Sequence, residues 1–236
     1  MDGRRDDGGV GRDGDRGTGS GGDLGGGRSA SAGQGGDPAA GAFDIVDLVP
    51  GDEVAAEQAA RLLVEEFREH WPNAWPDMAA ARAEVAEALE GGRINRIAVG
   101  AGGAVLGWIG AIEQYDGRVW ELHPLAVRGD HRRRGIGRAL VADLEARVRE
   151  RGGLTVYIGT DDEAGLTSLG GVDVYPDVWA HLRDIRNLRG HPFGFYARQG
   201  YTVVGVVPDA NGFGKPDIMM AKRVGDVSGG LGDAAR

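Results

Sequence analysis

Arg132-Arg133-Arg134-Gly135-Ile136-Gly137 stands between an apolar run and a helix-like one. The run before it, Trp120 to Val127, is apolar enough for a buried strand. After it, Ile136, Leu140, Leu144 and Val148 recur every fourth residue and so share one helix face. The glycines therefore fall where a strand gives way to a helix N-terminus. The first N–H groups of a helix have no intrahelical partner, and its dipole favours an anion there. Glycine lets the chain wrap closely around a phosphate, with no Cβ in the way. The pattern predicts a pyrophosphate cradle, and hence a user of a cofactor or nucleotide.

Two common nucleotide motifs fail. A Walker loop needs Lys followed by Ser or Thr, and neither follows Gly137. A dinucleotide fingerprint needs a third glycine where Leu140 stands, and an acidic residue closing the second strand. The order of the surrounding elements carries more information than the loop.

Composition splits the chain unevenly. Residues 1–42 hold sixteen glycines, seven aspartates and five arginines, with almost no large apolar side chain. Such a segment cannot bury enough surface to offset its ordering entropy, so a disordered tail is expected there. Residues 225–236 read as a loose end of similar character. Residues 43–224 suffice for one domain with a good core. No apolar run approaches the roughly 20 residues of a membrane span. With no cysteine there is no disulfide, thiolate metal site or cysteine nucleophile, and the five histidines lack ligand spacing. A cytoplasmic protein without a metal is the expectation. The net charge of −9 speaks against nucleic acid and for a small cationic partner.

Alternation predicts a first strand at Phe43–Leu48, closed by Pro50-Gly51. Asp52 caps an expected helix to about His70, with Val54, Leu62, Leu63 and Phe67 on its buried side. Asp77 caps a second helix that stops at Gly91-Gly92. Strands follow at Ile94–Val99, Val105–Gln114 and Trp120–Val127, with turns at Gly102-Gly103 and Asp116-Gly117. After the glycine loop and a helix to Arg151 comes a strand at Leu154–Thr160. The long 161–190 connection carries a helix from Asp177, with Val178, Leu182 and Ile185 spaced for burial. A short helix over Phe193–Gln199 precedes strands Tyr201–Val207 and Asp217–Arg223. The predicted order is β-α-α-β-β-β-α-β-α-β-β, an α+β domain with a mixed central sheet and flanking helices.

This order, with Arg132-x-x-Gly135-x-Gly137 behind a long strand, resembles the GNAT superfamily of N-acetyltransferases. Phe195-Tyr196-Ala197-Arg198-Gln199-Gly200-Tyr201 is similar to its second signature. Further blocks narrow the likeness: Trp120-Glu121-Leu122-His123-Pro124-Leu125, Gly159-Thr160-Asp161-Asp162-Glu163, His191-Pro192-Phe193-Gly194-Phe195-Tyr196, Val206-Val207-Pro208-Asp209-Ala210-Asn211-Gly212 and Lys215-Pro216-Asp217-Ile218. In that order they resemble the aminoglycoside 6'-N-acetyltransferases, which give antibiotic resistance, and the long 161–190 connection fits the homodimeric branch of these enzymes.

The resemblance implies acetyl-CoA as co-substrate and an aminoglycoside as acceptor. It places the coenzyme on Arg133, Arg134, Gly135, Ile136, Gly137 and Arg138, with the backbone of Leu125, Ala126 and Val127 at the thioester. Asn187 is implied beside the pantetheine arm, although it serves equally as a residue closing the preceding helix. Tyr196 is the implied acid for the leaving thiolate; a phenol with a pKa near ~10 stays protonated at neutral pH. Trp71, Tyr115, Glu121 and Asp161 are implied substrate contacts. Glu121, in an apolar strand, is the expected acceptor of the amine's proton, with His123 on the same sheet face to assist. Asp162 and Glu163 read as surface carboxylates, and Asp217 is left outside the set. Gly194 replaces a glutamate common in relatives, and Arg134 a lysine or glycine. With no cysteine for a thiol intermediate, direct attack is expected. Two alternatives remain at this stage: another amine acceptor (polyamine, metabolite or protein N-terminus), or a non-catalytic acyl-CoA-binding module.

Overall fold

The computed structural model describes residues 42–226. The expected tail at 1–42, apart from Ala42, and residues 227–236 of the expected loose end lie outside the described residues. The elements are β1 (Phe43–Asp47), α1 (Glu53–Phe67), α2 (Met78–Ala88), β2 (Ile94–Gly100), β3 (Val105–Gln114) and β4 (Val119–Val127). Then come α3 (Ile136–Glu150), β5 (Thr155–Asp161), α4 (Val178–Arg183), α5 (Phe193–Arg198), β6 (Thr202–Val207) and β7 (Asp217–Arg223). They match the predicted order, with α4 as the helix foreseen in the long connection.

Both aspartate caps form: Asp52 Oδ1 accepts from the Ala55 N–H at 3.0 Å and Asp77 Oδ1 from the Ala80 N–H at 2.9 Å. On α1 the buried side is Ala55, Ala59, Ala60, Leu62 and Leu63. Val54 was expected on it but is 72% exposed. At 100° per residue it shares a face with the exposed Arg61 and Glu65 instead.

Seven strands form one sheet in the order β1-β2-β3-β4-β5-β7-β6. All neighbours are antiparallel except β4 and β5. On one face α3 packs Leu140, Leu144 and Val148 into a core with Trp120, Leu122, Val156, Ile218 and Met220. On the other, α1 and α2 bring Leu62, Leu63 and Val85 against Ile97, Trp108 and Ala126. Buried Trp108 keeps its indole satisfied by donating to Asn95 Oδ1 at 3.1 Å.

Two irregularities in β4 set up the site. Its register against β3 runs Ile109↔Leu125 and then Ala111↔Leu122, so β4 carries an extra residue around His123-Pro124. Gly110 makes this possible, because a Cβ there would stand 2.4 Å from the His123 carbonyl oxygen. On its other edge β4 pairs with β5 only at Val119, Trp120 and Glu121. Past Glu121 the two strands part.

Candidate active site

The glycine loop leaves β4 at Val127 and enters α3 at Ile136. Gly135 takes φ 86°, and no side chain caps the helix. The left-handed turn and the uncapped N–H groups together make an anion-accepting end. Glu66 of α1 fixes the loop: Oε1 accepts from the Gly129 N–H at 2.7 Å, and Oε2 from Arg132 Nη2 at 2.5 Å. Beside it opens a cleft of about 810 Å³.

Five arginines line that cleft: Arg132, Arg133, Arg138, Arg189 and Arg198. The last two were not anticipated. Arg189 reaches it because its guanidinium donates to the Ala164 and Gly165 carbonyls, at 3.2 and 2.6 Å. Those carbonyls are held by Asp162, expected at the surface but 1% exposed. Its carboxylate accepts from the Leu166 N–H at 2.5 Å, the Thr167 N–H at 2.9 Å and the Thr167 hydroxyl at 2.7 Å. No local sequence signal reports such a loop clamp. Of the expected loop residues, Gly135 and Gly137 line the cleft. Ile136 is 2% exposed with its side chain in the core, and Arg134 is exposed and not among the residues that line the cleft.

Leu125, Ala126, Val127, Trp71 and Tyr196 also line the cleft. Trp71 extends an aromatic group, with its ring 5.7 Å from Phe67 and 5.5 Å from His70. Tyr196 is 4% exposed and meets Phe195 and Tyr201 edge-on at 5.0 and 5.6 Å. Burial pushes its phenol pKa well above the ordinary value, so it stays a proton donor at working pH.

The start of α5 is set by His191, which is 2% exposed. Its Nδ1 accepts from the Phe193 N–H at 3.2 Å, and its Nε2–H donates to the Asp161 carbonyl at 3.0 Å. Burial lowers its pKa, which favours this neutral tautomer. Asn187 does not line the cleft. Its side chain brackets His191, donating to the carbonyl at 2.7 Å and accepting from the N–H at 2.8 Å. Each end of the amide thus has one partner in the turn, which is the local role that the sequence offered beside the coenzyme contact. Gly194 makes room for it, since a Cβ there would come 2.6 Å from Asn187 Nδ2.

A second group gathers where β4, β5 and β7 adjoin. Glu121 closes the short β4–β5 ladder opposite Tyr157. Asp161 lies opposite Asp217 and accepts from the Asn211 side-chain amide. Burial, with Asp161 and Glu121 nearby, pushes the Asp217 carboxyl up to about 6 against an offsetting backbone hydrogen bond from Thr160. Its carboxylate lies over Gly159, where a Cβ would stand 2.4 Å from Oδ2. Asp217 thus joins Glu121 and Asp161 in one acidic group, a proximity created by strand pairing and invisible in sequence spacing. Tyr115, at the β3–β4 turn, is 76% exposed with φ 51°.

The expected assistance of Glu121 by His123 is not built. His123 Nε2 faces Glu84 Oε1 of α2 at 3.4 Å, and its ring lies 5.8 Å from Trp75. Alternation puts the two residues on one face, but the helix covering His123 supplies its partner. Among the described residues no group of three or more His, Cys, Asp or Glu is arranged to hold a metal.

The acetyltransferase (GNAT) family model matches residues 56–170. An aminoglycoside 6'-N-acetyltransferase complexed with coenzyme A is 41% identical, with a TM-score of 0.71, and the match covers 77% of this chain and 97% of that one. This chain belongs to the GNAT family of acetyltransferases. A second structure, that of the aminoglycoside 6'-N-acetyltransferase from Enterococcus faecium, is 40% identical at a TM-score of 0.69, over 77% and 97% of the two chains. An aminoglycoside 6'-acetyltransferase type Ii is 35% identical at 0.58, over the same shares. Among curated proteins none matches the chain. The mixed seven-stranded sheet and the parting of β4 from β5 are therefore the frame of a GNAT acetyltransferase.

Proposed function

We propose that the protein transfers the acetyl group of acetyl-CoA to the 6'-amino group of an aminoglycoside by direct attack. The observation that carries this is the 41% identity to an aminoglycoside 6'-N-acetyltransferase over 97% of that chain's length. The acidic group at Glu121, Asp161 and Asp217 supports a polycationic acceptor, since ammonium groups need carboxylates more than apolar walls.

The residues fit the coenzyme. Five arginines and the uncapped start of α3 suit its phosphates, and the free edge of β4 suits the pantetheine. When bound, acetyl-CoA supplies the thioester whose acyl carbon accepts the amine. Glu121 orients the 6'-ammonium and takes its proton, which frees the nitrogen lone pair. Backbone N–H groups at Leu125–Val127 hold the carbonyl oxygen as the N–C bond forms. The C–S bond then breaks, and Tyr196 gives its proton to the departing thiolate. Trp71 offers a flat wall to a sugar ring.

Purified protein is to be mixed with acetyl-CoA and kanamycin or tobramycin, and CoA release followed with a thiol reagent. Because the chain has no cysteine, all thiol signal comes from the coenzyme. The expected result is aminoglycoside-dependent release with one acetyl on the 6'-nitrogen by mass spectrometry. Release with polyamines or peptides alone would move the acceptor class. We also propose a homodimer, to which the exposed Tyr175, Trp179 and Phe213 would contribute apolar surface; sedimentation tests it. We further propose a cytoplasmic location and a role in antibiotic resistance; raised inhibitory concentrations in an expressing host test the second.

Asp217 gives a pH signature. Its folded pKa of about 6 exceeds the ordinary 3.8 of the unfolded chain, so its contribution to stability is present below 3.8 and fades as pH rises through 6. Asp217→Asn should therefore gain stability on wild type as pH rises from 4 to 7, by on the order of 1 kcal/mol after discount for partial exposure, read as a rising Tm difference. A constant Tm difference across this range would rule out the shifted carboxyl. A cationic substrate beside Asp217 should draw its proton off, so binding near pH 6 should release protons in calorimetry.

A further inference from the structure

The contact at the last β4–β5 pair gives Glu121 an orientation. Tyr157, directly opposite on β5, donates its hydroxyl to Glu121 Oε2 at 2.8 Å. From β3, Gln114 Nε2 approaches the same oxygen at 3.4 Å. Neither donor reaches Oε1. Two strands, one on each side of β4, thus converge on one oxygen of a carboxylate where the sheet begins to open.

We propose that Tyr157 is a positioning residue for acetyl transfer, anchoring Glu121 Oε2 so that Oε1 is the oxygen that meets the acceptor's ammonium and takes its proton. This rests on the role given to Glu121 above. A carboxylate on a flexible two-carbon stem has several rotamers, and only some direct an oxygen to the opening between the strands. A hydrogen bond to an ionised carboxylate is stronger than a neutral one, so the tyrosine selects among them. Gln114, longer and less direct, has the secondary part. Burial and the neighbouring Glu121 charge both push the Tyr157 phenol up, so the tyrosine acts as donor and not as proton carrier.

The test is a double-mutant cycle on the full chain with Tyr157→Phe, Glu121→Gln and the pair, measuring kcat and KM for kanamycin and Kd for acetyl-CoA. Phenylalanine keeps the ring and removes only the donor. Tyr157→Phe should lower kcat about tenfold, as loss of a hydrogen bond to a charged group implies, with KM and acetyl-CoA binding changing less. In the Glu121→Gln background the same change should do nothing further. A rate-independent check is the tyrosine ionisation near 295 nm, read as the difference between wild type and Glu121→Gln, in which the phenol bonded to Glu121 is the one that moves. Glu121→Gln should move it to lower pH.

An equal loss from Tyr157→Phe in both backgrounds overturns the proposal, as does wild-type kcat in the single variant. If Glu121→Gln disables turnover while the two changes multiply, only the role of Tyr157 falls. If Glu121→Gln turns over like wild type, the role of Glu121 falls and this proposal with it. A Tyr157→Phe protein with an unchanged melt and lowered kcat keeps the comparison free of misfolding; a collapsed melt sends the decision to the phenol titration of Glu121→Gln.

Discussion

Tyr196→Phe is expected to lower kcat about 10²-fold, the lower end of what a positioned general acid contributes, while acetyl-CoA affinity changes little. The ring stays, so the edge-on contacts to Phe195 and Tyr201 and the wall of the cleft are kept. What is lost, on the proposed mechanism, is the proton for the departing thiolate. Burial has pushed the phenol's pKa up, so the wild-type acid stays protonated across neutral pH and should impose no basic limb of its own there. Single-turnover measurement is needed, because slow product release would mask the chemical step. Unchanged single-turnover rates would remove Tyr196 as the acid and leave it as an aromatic core residue.

Gly110→Ala is expected to cost about 3 kcal/mol of stability, the upper end for overpacking a filled site. The added methyl meets the His123 carbonyl oxygen at 2.4 Å and Asn95 Oδ1 at 3.1 Å. The first contact is backbone and cannot swing aside; the second disturbs the acceptor of the Trp108 indole. A fall in Tm on the order of 10 °C should follow for a domain of this size. Acetyl-CoA binding should weaken too, because the bulge sets the direction of Leu125–Val127. Gly91→Ala is the control, with no atom within 4 Å of its added Cβ and no positive φ. Equal melting of the two variants would mean that the bulge does not depend on Gly110.

Features written in short windows were legible in the sequence. Asp52 and Asp77 announced their helices, and β3 and β7 fell at their predicted bounds. The strand–glycine–helix passage gave the loop and, through resemblance, Tyr196 and Leu125–Val127, all of which the fold brings to one cleft. What stayed hidden depends on pairing between distant segments. Tyr157 meets Glu121 only because β5 docks beside β4, and Asp217 meets Asp161 only because β7 docks beside β5. Asp162 looked like a surface charge because nothing local reveals a loop folding over its carboxylate. Asn187 shows the converse: the partner that its amide takes in the turn, His191, lies only four residues away.

The parting of β4 from β5 after Glu121 also bears on how such a protein evolves. The groups it exposes at Leu125–Val127 belong to the main chain, and every residue type except proline carries them. Substitution there can reshape the cleft without deleting the donors. The acceptor side consists of individual side chains, each lost in a single step. On the proposed mode of binding, substrate range is therefore free to drift under selection while the grip on the coenzyme persists. An inhibitor built on the pantetheine and its thioester would meet the part of the protein least able to mutate away from it.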